Sequence, residues 1–579
     1  MKNSLTFGLV YGIINLLFHV RECDDVRSVY SIQSRFSTTG NINRPISHTA
    51  TANSLFKPIG YAFRFFYFTE AKMKNKLHKK FGLIMAICMV VGIVIGSGVF
   101  FKAGKVLKNT GANLGLSLLV VGIVGAIMLI CSLVFATLGA KYEKVNGVVD
   151  YAEATMGKRF AYYVGWFMTT MYYPIIASTL AWVTAQYACI LFGYEVSSAV
   201  HLAFAAVILI GCYAVNALSP KIAGKLQISA TFIKLVPLVI MAIVGTIVGL
   251  VNGLTIEAFT SHITEIVNPD GTTTEITSNI FTAVCAFAFA YEGWIIATSI
   301  NAELKNAKRN LPLALVFGAI IVVGMYMLYF LGISGVMSTK DIIASGDNLP
   351  KDAFTALFNS PVMGTIIMVF VVISCLGTTN GVMLGCCRGM YSLSVRNEGP
   401  APQLFGQVDE KTNMPHNSSI IGLLLSVFWL FQWQIFFFDN TVLGAGKIPA
   451  FWCWEADEVC IITLYLFYIP MFIAMMVKCK DLHPVKRFVL PSLGVICCGF
   501  MCYCAFNGYK ANGQIWSYII VFAVIMAIGF FFSNDFKKLL AKRKGVEFDP
   551  DAGSEIVSDD EDEAETVVEE TVVVIEKTE

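Results

Sequence analysis

Glycine interrupts two long apolar stretches of this chain at corresponding places. One reads Val91-Gly92-Ile93-Val94-Ile95-Gly96-Ser97-Gly98-Val99-Phe100-Phe101 and the other Ala288-Phe289-Ala290-Tyr291-Glu292-Gly293-Trp294. Gly96-Ser97-Gly98 offers successive backbone N–H groups where a helix restarts, and the positive end of that helix favours a carboxylate. Glycine there also lets a ligand approach the backbone closely, although the same spacing serves tight helix packing. In the second stretch Glu292, between Tyr291 and Gly293, sets an acid among apolar residues, where ionisable groups are costly and usually functional. Unwound carbonyls at that break can accept the hydrogens of an ammonium group. A carboxylate cradle in one stretch and an ammonium cradle in the other fit an α-amino acid.

The elements that must hold these cradles are membrane spans. The chain of 579 residues is 56% apolar and 14% charged, where a soluble domain carries about 25% charge, and its mean hydropathy is +0.67. Apolar runs long enough to cross a bilayer recur twelve times, at about 81–101, 114–138, 160–191, 199–217, 227–250, 279–300, 313–336, 361–387, 418–434, 460–477, 488–506 and 515–533. With almost no polar domain between them, soluble core helices are a poor alternative. Lysine and arginine divide 25 to 7 between alternate sides when the segment before Phe81 is set inside. By the positive-inside rule both ends of the unit then face the cytoplasm. Lys102, Lys105 and Lys108 break this rule locally, and the sequence offers no reason.

The domain reading is an upstream extension over 1–72, non-native or disordered, a twelve-span unit over 73–533, and an acidic cytoplasmic tail over 534–579. The compact basic run Met73-Lys74-Asn75-Lys76 directly ahead of a span suggests a native start at Met73. Asp559-Asp560-Glu561-Asp562-Glu563 cannot bury a core and reads as solvated. Most of the 16 cysteines lie within apolar spans, where they act as small hydrophobes. No metal, cofactor or nucleic-acid partner is expected.

Broken helices survive in hydrocarbon only where they line a cavity or bind something, and a matched pair points to a transporter's midplane site. A channel would need a filter or charged rings, and no filter motif appears. An enzyme finds no H-E-x-x-H and no paired intramembrane acids, and an ATP-driven pump no GxxxxGK[ST] loop. The expectation is a non-enzymatic secondary transporter of amino acids in the plasma membrane. A channel and an amine or polyamine exchanger are the alternatives.

Several ordered motifs carry a resemblance. They are Ile95-Gly96-Ser97-Gly98-Val99-Phe100, Gly157 through Trp166, and Gly224-Lys225-Leu226-Gln227 with Lys234-Leu235. Phe289 to Trp294 with Ala302 to Pro312 follows, and last Gly377-Thr378-Thr379-Asn380-Gly381 with Arg388 to Pro400. Over about residues 80–530 the chain resembles amino acid–polyamine–organocation (APC) permeases, in the branch of the L-type and cationic amino-acid transporters. The resemblance implies an all-α polytopic membrane protein with twelve transmembrane helices, a LeuT-like 5+5 inverted repeat plus two helices. It implies a substrate carboxylate at the amides of Ser97 and Gly98, and an amine at the carbonyls of Val94, Ile95, Phe289, Ala290 and Glu292. It also implies Phe289 as an aromatic gate, and Lys234 in the place of a sodium ion with a hydroxyl from Ser374 or Thr378. Sodium-independent symport with protons, or exchange, follows from that.

Three roles for Glu292 stay open. Ionised, it favours a cationic side chain; protonated, it accepts polar neutral substrates and can carry a coupled proton; turned away, it braces the repeat. Glu303 is a candidate inner-gate partner of Lys305, Lys308 and Arg309, or a solvated acid. Trp452 to Glu458 reads as an outer rim or aromatic belt. Heteromeric relatives attach a subunit through an external cysteine between spans 3 and 4. The loop Gly193–Ser198 has none, so no disulfide-linked partner is expected.

Overall fold

Apolar runs that must satisfy their own backbone fold as helices, and the computed structural model is almost wholly helical. It describes residues 73–74, 82–142, 147–196, 198–261, 263, 265–267, 273–275, 278–295, 304–438, 454–510 and 513–544. Residues 1–72 and 545–579 lie outside these, as does Glu303 with its inner-gate role.

The first stretch is two helices, α1 (Leu83–Val94) and α2 (Ser97–Asn109). After them come α3 (Leu114–Lys141), the short α4 (Gly147–Met156), α5 (Lys158–Phe192) and α6 (Ala199–Leu218). Next are α7 (Pro220–Ile240), continued through a π-turn by α8 (Thr246–Asn252), and the second interrupted helix α9 (Ile280–Tyr291). The long helices that follow are α10 (Ala307–Val336), α11 (Pro361–Ser394), α12 (His416–Phe438), α13 (Ala456–Lys478), α14 (Leu490–Tyr509) and α15 (Gln514–Phe532), then the shorter α16 (Asn534–Lys544), with short helical segments such as Leu254–Thr260 and Leu349–Phe358 in the connections. Two small antiparallel pairs lie outside the spans: β1 (Met73–Lys74) with β4 (Val408–Asp409), and β2 (Glu265–Val267) with β3 (Thr273–Glu275).

Among the described residues 10 helices are long and apolar enough to cross a membrane. The two shorter apolar helices, Leu83–Gly92 and Ile280–Tyr291, belong to the glycine-interrupted stretches. Helix α2 packs on α9, α1 on α7 and α10, and α11 on α5 and α7, so both breaks sit inside the bundle. Residues 534–544, grouped from sequence with the acidic tail, form α16, which is docked at its first turn. Arg159 pairs with Asp535 at 2.7 Å, and Lys537 donates to the Gly399 carbonyl at 3.1 Å.

Candidate functional site

The first break has a defined backbone course. Ile95 closes α1 in an extended conformation, and Gly96 (φ −150°, ψ −134°) stands at the start of α2 with no side-chain cap. The first-turn amides of α2, from Ser97 onward, have no intrahelical acceptor. The glycines also have a packing requirement. A Cβ on Gly98 would lie 2.6 Å from the Ala290 Cα, and one on Gly96 would collide with the Thr378 side chain. The first break is therefore pressed against the second and against α11. At the second, α9 ends in extended Glu292, followed by Gly293 at φ 102°, a conformation that side-chain-bearing residues rarely adopt.

The carbonyls released at these breaks are held by two side chains. Lys234, fully buried on α7, donates to the Gly92 carbonyl, to Ile95 O at 2.6 Å and to Thr378 Oγ1 at 3.4 Å. Of the two hydroxyls considered from sequence, Thr378 is the one in reach; the Ser374 hydroxyl is buried without a partner. On α10, the Tyr326 hydroxyl lies 2.8 Å from Val94 O and 2.9 Å from Ala290 O, so one phenol spans both breaks. Sequence reasoning did not single out Tyr326; a tyrosine in a long apolar helix carries no local signal of its partner.

Between the breaks lies a cavity lined by Val94, Gly98, Ile176, Leu180, Phe289, Glu292, Gly293, Thr378 and Val382. It measures about 20 Å³, room for about one water. The Glu292 carboxylate, almost wholly buried, accepts from the Tyr172 hydroxyl on a π-turn of α5. Tyr291 turns elsewhere, its hydroxyl donating to Val121 O at 3.1 Å. Of the residues singled out, Val94, Gly98, Phe289, Glu292, Gly293 and Thr378 line this cavity, and Lys234 grips the backbone beside it.

On the α2 side of the cavity stands a charge cluster. The Lys102 ammonium is 5.0 Å from the Phe289 ring centroid and 4.8 Å from that of Phe101. It pairs with Asp457 at 3.0 Å and Glu458 at 2.5 Å; Lys105 pairs with Glu458 at 2.8 Å and with Glu455. Tyr509 on α14 donates to Glu458. This accounts for Lys102 and Lys105, which the charge count alone could not. It also corrects the reading of Trp452 to Glu458 as an outer rim. Asp457 and Glu458 are 0% exposed and Trp454 1%, because two ammoniums supply the charge that burial demands. Trp452 and Cys453 lie outside the described residues. The three acids come within 4.8 Å of one another, a spacing that a metal could use, but lysines stand among them.

At the other end, where α1 begins and α11 ends, Arg396 links to Asp150 and, at 3.2 Å, to Glu153, and Lys141 to Asp481 at 2.6 Å.

A bundle of apolar helices with two facing breaks, a buried lysine on the carbonyls of the first and a small, mostly apolar cavity with one buried acid between them is the architecture of a membrane permease. Residues 81–531 match the model of the amino acid permease family, and the chain belongs to that family, within the APC superfamily. It is 27% identical over 414 residues to the serine/threonine exchanger SteT of Bacillus subtilis (strain 168), covering 71% of this chain and 86% of that protein. It is 28% identical over 397 residues to the b(0,+)-type amino acid transporter 1 of Mus musculus, covering 65% and 77%. With the cystine/glutamate transporter of Homo sapiens it shares 24% identity over 441 residues, covering 74% and 80%.

Proposed function

We propose that this protein is a sodium-independent secondary transporter that exchanges amino acids, or carries them with protons, across the plasma membrane. Its substrate sits between the two helix breaks, the first and sixth of twelve passes in a 5+5 inverted repeat with two added helices. Both termini of the permease unit face the cytoplasm, following the lysine and arginine distribution. The observation that carries this reading is the convergence at one cavity of an uncapped helix N-terminus at Gly96–Gly98 and the carbonyl ends of α1 and α9. The α2 amides meet the substrate carboxylate. The Ile95 carbonyl uses one lone pair on Lys234, and the single Tyr326 hydrogen serves Val94 or Ala290, so each of the three carbonyls keeps at least one lone pair for the ammonium. Phe289, clasped by Lys102, closes over the substrate, and the Lys234 ammonium takes the place of a coupling cation. An exchanger named for serine and threonine and transporters named for amino acids stand among the relatives, which supports an α-amino acid as substrate.

The test is counterflow in proteoliposomes loaded with a panel of amino acids. Saturable uptake accelerated by substrate on the opposite face is the expected result. Unsaturable flux indifferent to trans substrate would mean a channel. Equal competition by an amino acid and its decarboxylated amine would favour the amine or polyamine exchanger and remove the carboxylate from the α2 amides.

A further inference from the structure

A second cavity, also of about 20 Å³, lies at the α1 end of the bundle, between α1, α6, α7 and α11. Its wall on α1 is Met85 and Met89; its polar groups come from the other three helices as Asn216, Gln227, Asn380 and Arg388. Asn216 and Asn380 secure each other, Nδ2 of Asn216 lying 2.9 Å from Oδ1 of Asn380, and Asn380 reaches Ala223 O at 3.3 Å. Gln227 is different. It is 2% exposed, and neither its amide nitrogen nor its oxygen has a hydrogen-bond partner. An idle buried amide is destabilising, and its two neighbours on the same face of α7 are both engaged: Thr231 reaches Cys88 O at 3.2 Å, and Lys234 holds Ile95 O. Arg388, also 2% exposed, lines the same cavity, with its Nη2 on the Met414 sulfur at 3.9 Å.

The placement suits a ligand in transit. Helix α11 lines both cavities, with Thr378 at the central one and Arg388 at the lower one, ten residues and so about 15 Å further along the axis. Only the apolar wall belongs to α1. Moving α1 away would leave a half-cup of amide and guanidinium donors facing the path from the central site to that end of the bundle. A planar guanidinium matches a carboxylate with two parallel N–H donors, and the Gln227 amide adds a third.

Resting on the transport reading, we propose that this cavity is the collapsed form of a second substrate station on the cytoplasmic side, which takes the carboxylate of a departing or entering amino acid on Arg388 and Gln227.

Gln227→Met tests this with little risk to folding, since replacing an unpartnered buried amide by an apolar group of similar size is neutral or stabilising. Counterflow is measured in oriented proteoliposomes with the amino acid varied on one face at a time. The parent must exchange for the transport reading to stand, and its failure would refute that reading rather than this one. With an active parent, Gln227→Met should raise KM at the α1-end face about tenfold and leave KM at the opposite face within twofold. Gln227→Glu, which sets an anion against the carboxylate, should raise it further, and Arg388→Gln should shift the same face. KM unchanged at both faces in Gln227→Met, or shifted equally at both, would overturn the proposal.

Discussion

Replacing Lys102 by methionine keeps most of the side-chain volume and removes one of two cations from a buried cluster with three carboxylates. Its ammonium lies 3.0 Å from Asp457 and 2.5 Å from Glu458, with side chains 3% and 0% exposed. At an effective dielectric of about 20, each attraction at such separations is roughly 5–7 kcal/mol. Most of that offsets the desolvation of the same groups, so the measurable quantity is the penalty for the acids left behind, about 3–5 kcal/mol. Lys105 remains to neutralise Glu455 and Glu458, but no described cation other than Lys102 pairs with Asp457. Unfolding in mixed micelles should therefore show Lys102→Met less stable by that amount. The double variant Lys102→Met with Asp457→Asn should recover at least half of the loss, because it removes the stranded charge as well. A Lys102→Met protein within about 1 kcal/mol of the parent, or a double variant no better than the sum of the singles, would refute the assignment of this cluster as a mutually dependent unit.

Three further outcomes follow from the same geometry. Gly98→Ala puts a Cβ 2.6 Å from the Ala290 Cα, a backbone atom that cannot rotate away, so stability should fall by about 1–3 kcal/mol and counterflow should be lost; a thermal unfolding curve like the parent's would contradict the close packing of the breaks. Lys234→Met strands the Gly92 and Ile95 carbonyls and should abolish exchange, while uptake by the parent should be the same within twofold in sodium and choline buffers; a sodium requirement in the parent would remove the surrogate-cation role. Glu292→Gln preserves the shape against Tyr172 and deletes the charge: loss of cationic uptake alone marks an ionised acid that selects side chains, and loss of pH dependence alone marks a proton carrier. An unchanged substrate profile and pH response would leave it as a brace.

The helices were legible because their signals are local. Glycine at 96, 98 and 293 marked the breaks, and apolar runs located the spans to within a few residues at many ends, as in the 199–217 run beside Ala199–Leu218. The Lys234 contact was expected from the family resemblance, which sets a lysine in the place of a sodium ion; the residue by itself was equally consistent with snorkelling to an interface. What escaped notice depends on pairing across distance. Lys102 and Glu458 are 356 residues apart, so each half looked anomalous alone, Lys102 and Lys105 on the wrong side and an acidic stretch suited to a rim. Tyr326 and Tyr172 are ordinary aromatic residues until the fold brings Val94, Ala290 and Glu292 to their hydroxyls. Glycine at 98 was ambiguous in sequence, and the structure shows that the packing requirement is real whatever else the amide does.

A phenol has one hydrogen to give, yet Tyr326 stands within bonding distance of two carbonyls on two different half-helices. The junction of the breaks is thus short of hydrogen donors in its resting state. At any instant Tyr326 can fully serve only one of the two strands it joins. In the proposed binding mode an incoming ammonium would bring three hydrogens to that place. Its arrival would make good the shortage at Tyr326 and let both half-helix ends be satisfied at once. A ligand without the amine would occupy the space and leave the deficit. Discrimination for amines would then arise from what the empty protein lacks, with no charged side chain needed to read the group directly.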